Sequence, residues 1–374
     1  MWLNPSDVHL DDLLALLKQP TDPADYPHAD RIEQQVPVYD AARIRSADPR
    51  AVQAEFAGAF TDGPGIIVLK GAFGNDVVDA TTVEFDRMID EQHRSGTAAG
   101  DHFAKPGAND RVWNALEKLA LAAPEVFAAY YSNDLLALVA SAWLGPAYQV
   151  TSQVNVVNPG GEGQTVHRDY HLGFQSDEVA AQYPAHVHRL SSVLTLQGAV
   201  AHCDMPVESG PTLYLPHSQK YELGYLAYRR PEFAAHFVDN HVQLPLEKGD
   251  AVFFNPALFH AAGSNHSSGI KRMANLLQIS SAFGRAMESV DRTRMTTAIY
   301  PVLLGMDDPA AVDNVIAATA EGYAFPTNLD RDQPIGGLAP QSQAELLRQA
   351  VAERWPVDQL TEALAAHTDR RQTH

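Results

Sequence analysis

The chain has 374 residues, of which 45% are apolar and 20% charged, a composition typical of a globular protein with a sizeable core. Its net charge is −19 and its Lys and Arg residues form no stripe, so the sequence predicts neither a nucleic-acid partner nor binding to an anionic membrane. A single cysteine, Cys203, excludes an internal disulfide, and the first 20 residues lack the pattern of a secretory signal, so we expect a cytoplasmic protein.

The first part of the chain is mainly helical by its hydrophobic pattern. We predict an N-terminal helical arm over residues 1–56, which begins with a capped amphipathic helix from Ser6 to Leu17 and continues as an extended surface segment over 20–40. β-branched residues after a Gly-Pro-Gly turn predict a buried strand over 66–69. Further helices are predicted at 49–60, 75–92 and 124–143.

From residue 150 the pattern changes to short strands bounded by Gly, Pro and Asn. The predicted strands are 151–157, 164–172, 190–201, 211–216, 242–246, 251–255 and 270–283. Such a series indicates an antiparallel barrel or a jelly roll built from two sheets. We therefore expect one domain over 1–374 with a mainly β core and flanking helices. Its core would be a cupin-like double-stranded β-helix over 57–284, followed by a C-terminal helical extension or lid over 285–374, in which helices are predicted at 309–321 and 342–367.

Five His-x-Asp pairs occur in the chain, and context distinguishes them. Only His167 and Asp169 are followed at a suitable distance by a second His and then by an Arg in strand-like sequence. His202 and Asp204 are the serious rival, because they end an apolar run. The remaining pairs, which begin at His9, His28 and His367, have no strand surroundings.

His167, Asp169 and His260 form a candidate metal site. Residues i and i+2 of a strand face the same way, so the first two side chains would point at one place, and His260 follows a turn and a buried strand. Two His and one carboxylate on one face of an octahedron are the ligands of Fe(II) enzymes that bind a co-substrate and O₂. Similar ligands also serve catalytic zinc, and a hydrogen-bonded core histidine is the plain structural alternative.

Arg272 favours iron over zinc. A buried guanidinium at the end of a strand suits a carboxylate held in two places, as expected for the far end of 2-oxoglutarate, and hydrolases do not need this group. Lys271 and Arg272 cannot both point inward from one strand, so Lys271 is the alternative to Arg272 at this position. Gln153 and Asn155, on one face of the preceding strand, are candidate donors to the co-substrate; solvent-facing amides are the alternative.

The same residues give the chain a resemblance to a known family. It resembles the phytanoyl-CoA dioxygenase family of Fe(II)/2-oxoglutarate oxygenases over roughly 57–283, in three segments. These are 154–159 running into 167–171; 204–220 with its Glu-x-Gly-Pro turn; and 249–272 with His260, Asn265, Ser267 and Arg272. The resemblance implies that Asp204 is structural and His202 incidental. It also implies a double-stranded β-helix, iron held by His167, Asp169 and His260, 2-oxoglutarate held by Arg272, and O₂ as co-substrate.

The implied reaction is oxidation of a small organic metabolite with release of succinate and CO₂. Related halogenases lack the carboxylate ligand, so Asp169 favours hydroxylation, while desaturation, epoxidation and ring closure remain alternatives. Tyr170, His171, Phe174 and the insertion 175–189 are expected to rim the mouth of the site, and the first three residues are candidates for contact with the substrate.

Three arginines after residue 284 are candidates for the lid, namely Arg285, Arg292 and Arg294. Exposed ion pairs are the alternative role for them.

Two functions without 2-oxoglutarate also stay open. One is a cupin-like metal-dependent hydrolase or isomerase, and the other is a non-catalytic jelly-roll binding protein, with the terminal helices available for homo-oligomer contacts.

Overall fold

The computed structural model describes residues 1–96 and 107–373. The predicted core range 57–284 therefore includes residues 97–106, which lie outside the described part. The strands, in chain order, are β1 (Arg31–Glu33), β2 (Val36–Asp40), β3 (Ile66–Lys70), β4 (Asn109–Val112), β5 (Gln149–Val157), β6 (Thr195–Ala201), β7 (Leu213–Leu215), β8 (Val242–Gln243), β9 (Ala251–Phe254), β10 (Phe259–Ala261) and β11 (Arg272–Ser280).

The helices precede, interrupt and follow these strands. They are α1 (Leu10–Leu17), α2 (Ala41–Ser46), α3 (Pro49–Thr61), α4 (Asn75–Ser95), α5 (Ala115–Ala122), α6 (Pro124–Tyr131), α7 (Asp134–Leu144), α8 (Asp177–Ala180), α9 (Ala185–Val193), α10 (Pro231–Asn240), α11 (Arg292–Leu303), α12 (Pro309–Thr319), α13 (Gln343–Glu353) and α14 (Val357–Arg370). Short 3₁₀ turns lie at Pro5–Asp7, Pro23–Asp25, His171–Phe174, Val207–Ser209, Ser218–Lys220 and Glu222–Leu226.

The main sheet has eight strands in the order β1-β2-β3-β9-β6-β11-β5-β4. Every neighbouring pair is antiparallel except β2 and β3, which run parallel, so the sheet is mixed. The longest pairings are those of β11, which pairs along all nine of its residues with β5 and along seven with β6. The positions of side chains on β5, β6 and β11 are therefore set by long stretches of strand pairing rather than by loops.

A smaller sheet, in the order β10-β7-β8, faces the inner side of the main sheet. The predicted strand 164–172 joins it only through one bridge, between His167 and His260, and the chain then turns into the 3₁₀ segment His171–Phe174. Side chains from both sheets pack together, including Val252 and Phe254 of β9 with Tyr214 of β7. The space between the two sheets is where the candidate site lies.

Helices cover the other side of the main sheet. Alternation in β5 sends Val154 and Val156 into the larger hydrophobic core, together with residues of α3 to α7 and of α11 to α14. The layers are therefore helices, main sheet and small sheet. None of the helices within residues 1–96 and 107–373 combines the length and apolar character needed to cross a membrane.

Four predicted elements differ from the structure. Residues 20–40 are not a surface arm throughout, because β2 is buried and pairs with β3. The predicted strand 190–201 is helix α9 followed by β6. The predicted helix 124–143 breaks at Asn133, which caps α7 with its side chain, and the predicted helix 342–367 breaks at Arg354, which is left-handed and followed closely by Pro356.

Candidate metal centre

Backbone pairing brings the two histidines of the site side by side. His167 N–H donates to His260 O at 2.9 Å and His260 N–H donates to His167 O at 3.1 Å. Directly opposed residues of an antiparallel pair project to the same face, so the two imidazole rings lie with centroids 4.4 Å apart. Asp169, two residues further on, keeps this alignment because its N–H donates to Pro256 O at 2.9 Å.

The three side chains converge on one point. Asp169 Oδ2 lies 3.5 Å from His260 Nε2 and 3.9 Å from His167 Nε2, and the three candidate ligand atoms lie within 4.8 Å of one another. Asp169 and His260 are buried, and His167 is half-buried. Two nitrogens and one carboxylate oxygen at this spacing can hold one metal ion.

Both imidazole rings are oriented by their other nitrogen. His167 Nδ1 lies 2.9 Å from Thr165 O, and His260 Nδ1 lies 2.8 Å from Leu258 O. A carbonyl oxygen only accepts, so each Nδ1 carries a proton and each Nε2 is the nitrogen that faces Asp169 and that, once deprotonated, can bind a metal. This is the tautomer that a metal-binding histidine needs, with its second nitrogen anchored to the backbone.

Asp169 is held by its neighbours in the ionised form. Burial raises the pKa of this carboxyl, but the charge of His167, hydrogen bonding with His260 and a hydrogen bond from Gln197 outweigh burial and hold its pKa below the ordinary value. Gln197 Nε2 donates to Asp169 Oδ2 at 2.8 Å. The carboxylate is therefore charged and fixed before any ligand binds.

The triad opens into a cavity of about 710 Å³ between the two sheets. Its walls are the inner faces of β5, β6, β9 and β11, the small sheet, and the segment that carries His167. The size falls within the usual range of small-molecule sites.

Arg272 lies in this cavity, whereas Lys271 is exposed. The turn before β11 sets which of these two side chains points inward. Asn265 fixes that turn, because its Nδ2 donates to Ile270 O at 2.7 Å and to Val157 O at 2.8 Å. Burial lowers the pKa of Arg272 to about 10, so the guanidinium stays charged at neutral pH. Arg272 donates to Gly263 O at 3.3 Å and forms no ion pair within the described residues.

The two amides predicted to bind the co-substrate lie in different surroundings. Asn155 pairs with Ala274 in register, one inward position from Arg272, and its buried Oδ1 accepts no hydrogen bond from the described residues. Gln153 lies one inward position further away. It accepts from Arg111 Nη2 at 2.6 Å and donates to Gln278 Oε1 at 3.3 Å. Asn155 thus remains available to a ligand beside Arg272, whereas Gln153 belongs to another network.

Of the residues expected at the mouth of the site, some line the cavity and others do not. Tyr170 and Phe174 line the cavity, with Tyr170 buried and Phe174 55% exposed. His171 does not line it; its Nε2 lies 3.4 Å from Thr195 Oγ1, and burial lowers its pKa. The structure describes all of 175–189, and no residue of that insertion lines the cavity. His171 and the insertion lie away from the cavity because the chain turns into 3₁₀ and α-helix after Tyr170, and their role at the mouth of the site stays a prediction.

The three C-terminal arginines expected in a lid also lie elsewhere. Arg292 donates at 2.8 Å to Ala318 O and at 2.8 Å to Val150 O, so it joins α11 to α12 and β5. Arg294 lies 3.7 Å from Glu117, and Arg285 is exposed. Among the described residues after 284, only Met287 lines the cavity.

The second His-x-Asp pair considered as a metal site, His202 and Asp204, is structural. His202 is buried on the outer face of β6, where its Nδ1 lies 2.8 Å from Thr82 Oγ1 and its Nε2 lies 3.1 Å from Tyr130 OH. Burial lowers the pKa of His202 to about 3, so the ring is neutral. Asp204 Oδ1 accepts from Lys248 N–H at 3.0 Å in a turn. The expectation that this pair is not a metal site agrees with this geometry.

Sequence reasoning missed three polar residues of the cavity: Gln197, Gln278 and Arg111. They lie on β6, β11 and β4 of the main sheet, with β5 between the last two strands, and all three are buried. Glutamine has no spacing signature comparable to a His-x-Asp pair.

The sequence profile described as phytanoyl-CoA dioxygenase matches residues 61–273, more than half of the chain, and no curated protein sequence matches. Similar solved structures include the non-heme alpha-ketoglutarate-dependent epimerase SnoN and carbocyclase SnoK, both from nogalamycin biosynthesis, and HygX from Streptomyces hygroscopicus with nickel, 2-oxoglutarate and hygromycin B bound. Their identities are 19%, 20% and 17%, and their TM-scores are 0.44, 0.46 and 0.44. The matches cover 63%, 64% and 62% of this chain and 82%, 85% and 88% of the others.

Proposed function

The chain belongs to the phytanoyl-CoA dioxygenase family, and we propose that it is an Fe(II)- and 2-oxoglutarate-dependent oxygenase that hydroxylates a small organic metabolite. The observation that carries the proposal is one cavity that contains both the convergent His167, Asp169 and His260 side chains and the buried, charged Arg272. A metal hydrolase has use for the first group only. A non-catalytic binding protein needs neither.

The donor set fits Fe(II). His167 and His260 would each offer Nε2, and Asp169 would offer a carboxylate oxygen, which is the two-histidine, one-carboxylate set of oxygenases that leave positions open for a co-substrate and O₂. When bound, iron, 2-oxoglutarate and O₂ supply the oxidation of a C–H bond, coupled to conversion of the co-substrate to succinate and CO₂.

Arg272 would hold the far carboxylate of 2-oxoglutarate. Its planar fork of donors matches a carboxylate, and its burial keeps that pairing away from water. Ala199 and Ala201 on β6 and Ala274 on β11 line the wall between Gln197 and Arg272, and their short side chains leave space for a five-carbon diacid. Asn155 can donate to the same ligand.

The rest of the cavity orients the substrate and excludes water. Val252, Phe254 and Tyr214 close the side near the small sheet, while Tyr170 and Phe174 lie towards the opening. A closed, mostly apolar wall limits side reactions and strengthens the polar contacts within it. The preference for hydroxylation follows from the family resemblance together with the presence of Asp169.

We also propose that the two sheets are the halves of a double-stranded β-helix in one domain over 1–374. Two observations support this. The N-terminal region supplies β1 and β2 to the main sheet, and α11 to α14 share the hydrophobic core on its outer face. A cytoplasmic location and homo-oligomer contacts through the terminal helices stay predictions from the sequence.

An anaerobic titration with Fe(II) and 2-oxoglutarate tests the proposal. We expect the visible charge-transfer band of the chelate in the wild type and its loss in Asp169→Ala. In Arg272→Ala the 2-oxoglutarate concentration needed should rise by roughly 100-fold, because one partner of a buried charge pair is removed. Lys271→Ala is the matched control and should titrate as the wild type does, since Lys271 is exposed. Absence of a band in the wild type, together with tight zinc binding, would contradict the proposal.

A further inference from the structure

A row of buried amide side chains crosses the inner face of the main sheet towards Asp169. Gln153 on β5, Gln278 on β11 and Gln197 on β6 are 0%, 5% and 7% exposed, and all three line the cavity. Arg111 lies at one end of the row and donates to Gln153 Oε1 at 2.6 Å. Asp169 lies at the other end and accepts from Gln197 Nε2 at 2.8 Å.

The two charged ends fix how each amide is oriented. A guanidinium only donates, so Gln153 must turn its oxygen to Arg111 and its Nε2 to Gln278, to which it donates at 3.3 Å. Gln278 therefore presents its own Nε2 to the cavity. A carboxylate only accepts, so Gln197 must turn its Nε2 to Asp169, which leaves its Oε1 facing away from that residue.

The row is interrupted between Gln278 and Gln197. These residues lie directly opposite each other in the pairing of β11 with β6, yet no hydrogen bond joins their side chains. The buried Oε1 of Gln197 and the buried hydroxyl of Tyr170 neighbour each other, but neither has a partner with hydrogen-bond geometry in the part of the chain that the structure describes. A donor and an acceptor thus face one space beside the metal ligand Asp169.

We propose that this gap is the substrate-recognition subsite and that it binds a hydroxyl group of a neutral, hydroxyl-bearing metabolite. The hydroxyl accepts from Gln278 Nε2 and donates to Gln197 Oε1, which completes the chain from Arg111 to Asp169. Tyr170 supplies a further partner. This inference rests on the proposed oxygenase function and names the substrate class of the same site.

Gln278 Nε2 can only donate and Gln197 Oε1 can only accept, and this pair of groups selects which ligands can bind. A carboxylate or phosphate has no proton for Gln197 Oε1, and an ammonium has no lone pair for Gln278 Nε2, whereas a hydroxyl serves both. A hydrocarbon would leave both amides buried without partners. Sites built to bind a hydroxyl discriminate strongly against analogues that lack it, because their own polar groups are then left unpaired.

Two measurements test the subsite. The first follows the anaerobic Fe(II)/2-oxoglutarate charge-transfer band while ring polyols, methyl glycosides and alicyclic alcohols are added, each beside the matching compound without hydroxyl groups. The second compares the thermal midpoint of the ligand-free protein in wild type and Gln278→Met. Leu276→Met, one inward position along β11, is the control for a change of shape in the same wall.

We expect hydroxyl-bearing compounds to perturb the band at concentrations roughly 10- to 100-fold below their hydroxyl-free partners, the loss that one unpaired buried group causes. Gln278→Met should lose this response and retain the band itself. It should melt only slightly below the wild type, because it loses one hydrogen bond, the one that Gln278 accepts from Gln153, while its own donor is reserved for a ligand. Leu276→Met should retain the response. Responses confined to hydroxyl-free compounds, no response to any compound, or a response that persists in Gln278→Met would each overturn the inference. A wild type without any band would instead refute the oxygenase function.

Discussion

Replacing Gln197 by methionine is expected to weaken Fe(II) binding without disturbing the fold. Gln197 contributes one hydrogen bond, of 2.8 Å, to the carboxylate that faces both imidazole rings. A hydrogen bond to a charged group contributes about 1.5–3 kcal/mol, which corresponds to a loss of affinity of roughly 10- to 100-fold. Removal of groups that orient metal ligands reduces affinity by about the same factor. Methionine keeps the length of the side chain, so the cavity wall changes little.

Gln278→Met provides the control for this experiment. Gln278 lies opposite Gln197 in the sheet, is buried to a similar degree and lines the same cavity, but it does not contact Asp169. Anaerobic Fe(II) titration, followed by competition with a chelator of known affinity, measures the dissociation constant of each variant. We expect Gln278→Met to stay within about twofold of the wild type. Equal Fe(II) affinity in Gln197→Met and the wild type would refute the argument that this hydrogen bond orients the ligand.

Three further predictions concern stability. His202 is neutral in the fold with a pKa of about 3, whereas unfolding restores a pKa near 6.5. Its contribution to the free energy of unfolding is therefore present above pH 6.5 and is lost as the pH falls. In urea unfolding, the wild type should lose about 2 kcal/mol more than His202→Gln between pH 7 and pH 5. Arg292→Met should cost about 2 kcal/mol and lower the thermal midpoint, because it leaves carbonyls in α12 and β5 without their donor; an unchanged midpoint would contradict this. Gly224→Ala should cost about 1–3 kcal/mol, since a Cβ there would overlap the buried guanidinium of Arg168, whereas Gly58→Ala in α3 meets no neighbour and should be neutral or stabilising.

The fold could be predicted where one physical signal dominated. β5, β9 and β11 were found close to their true bounds because each is a largely apolar stretch bounded by turn residues. The small sheet was harder, since β8 and β10 have only two or three residues and are defined by their partners. Residues 164–172 could not be predicted as they are, because a single bridge and an irregular turn carry no periodicity.

The boundaries of the helices show the same limit. The pattern over 124–143 is helical throughout, and only the cap at Asn133 separates α6 from α7. β2 was missed because Pro and Asp dominate the segment before it, although its own residues are buried and pair with β3. Local composition thus predicted the state of long segments better than the breaks within them.

The candidate metal ligands could be identified because strand alternation makes His167 and Asp169 neighbours in space, and the return of β10 beside them brings His260. The choice between Lys271 and Arg272 needed the structure, because the phase of β11 depends on the turn that Asn265 fixes.

The glutamine row could not be predicted from the sequence, because its meaning depends on register. Gln197 and Gln278 are far apart in the chain and become opposite neighbours only when β6 pairs with β11. The orientation of each amide then depends on the charged group at its end of the row, and neither Arg111 nor Asp169 is close in sequence to the glutamines. A hydrogen-bond donor and an acceptor left facing each other are therefore a property of the assembled sheet. For this reason the substrate class is better sought in the pairing of the strands than in any motif of the chain.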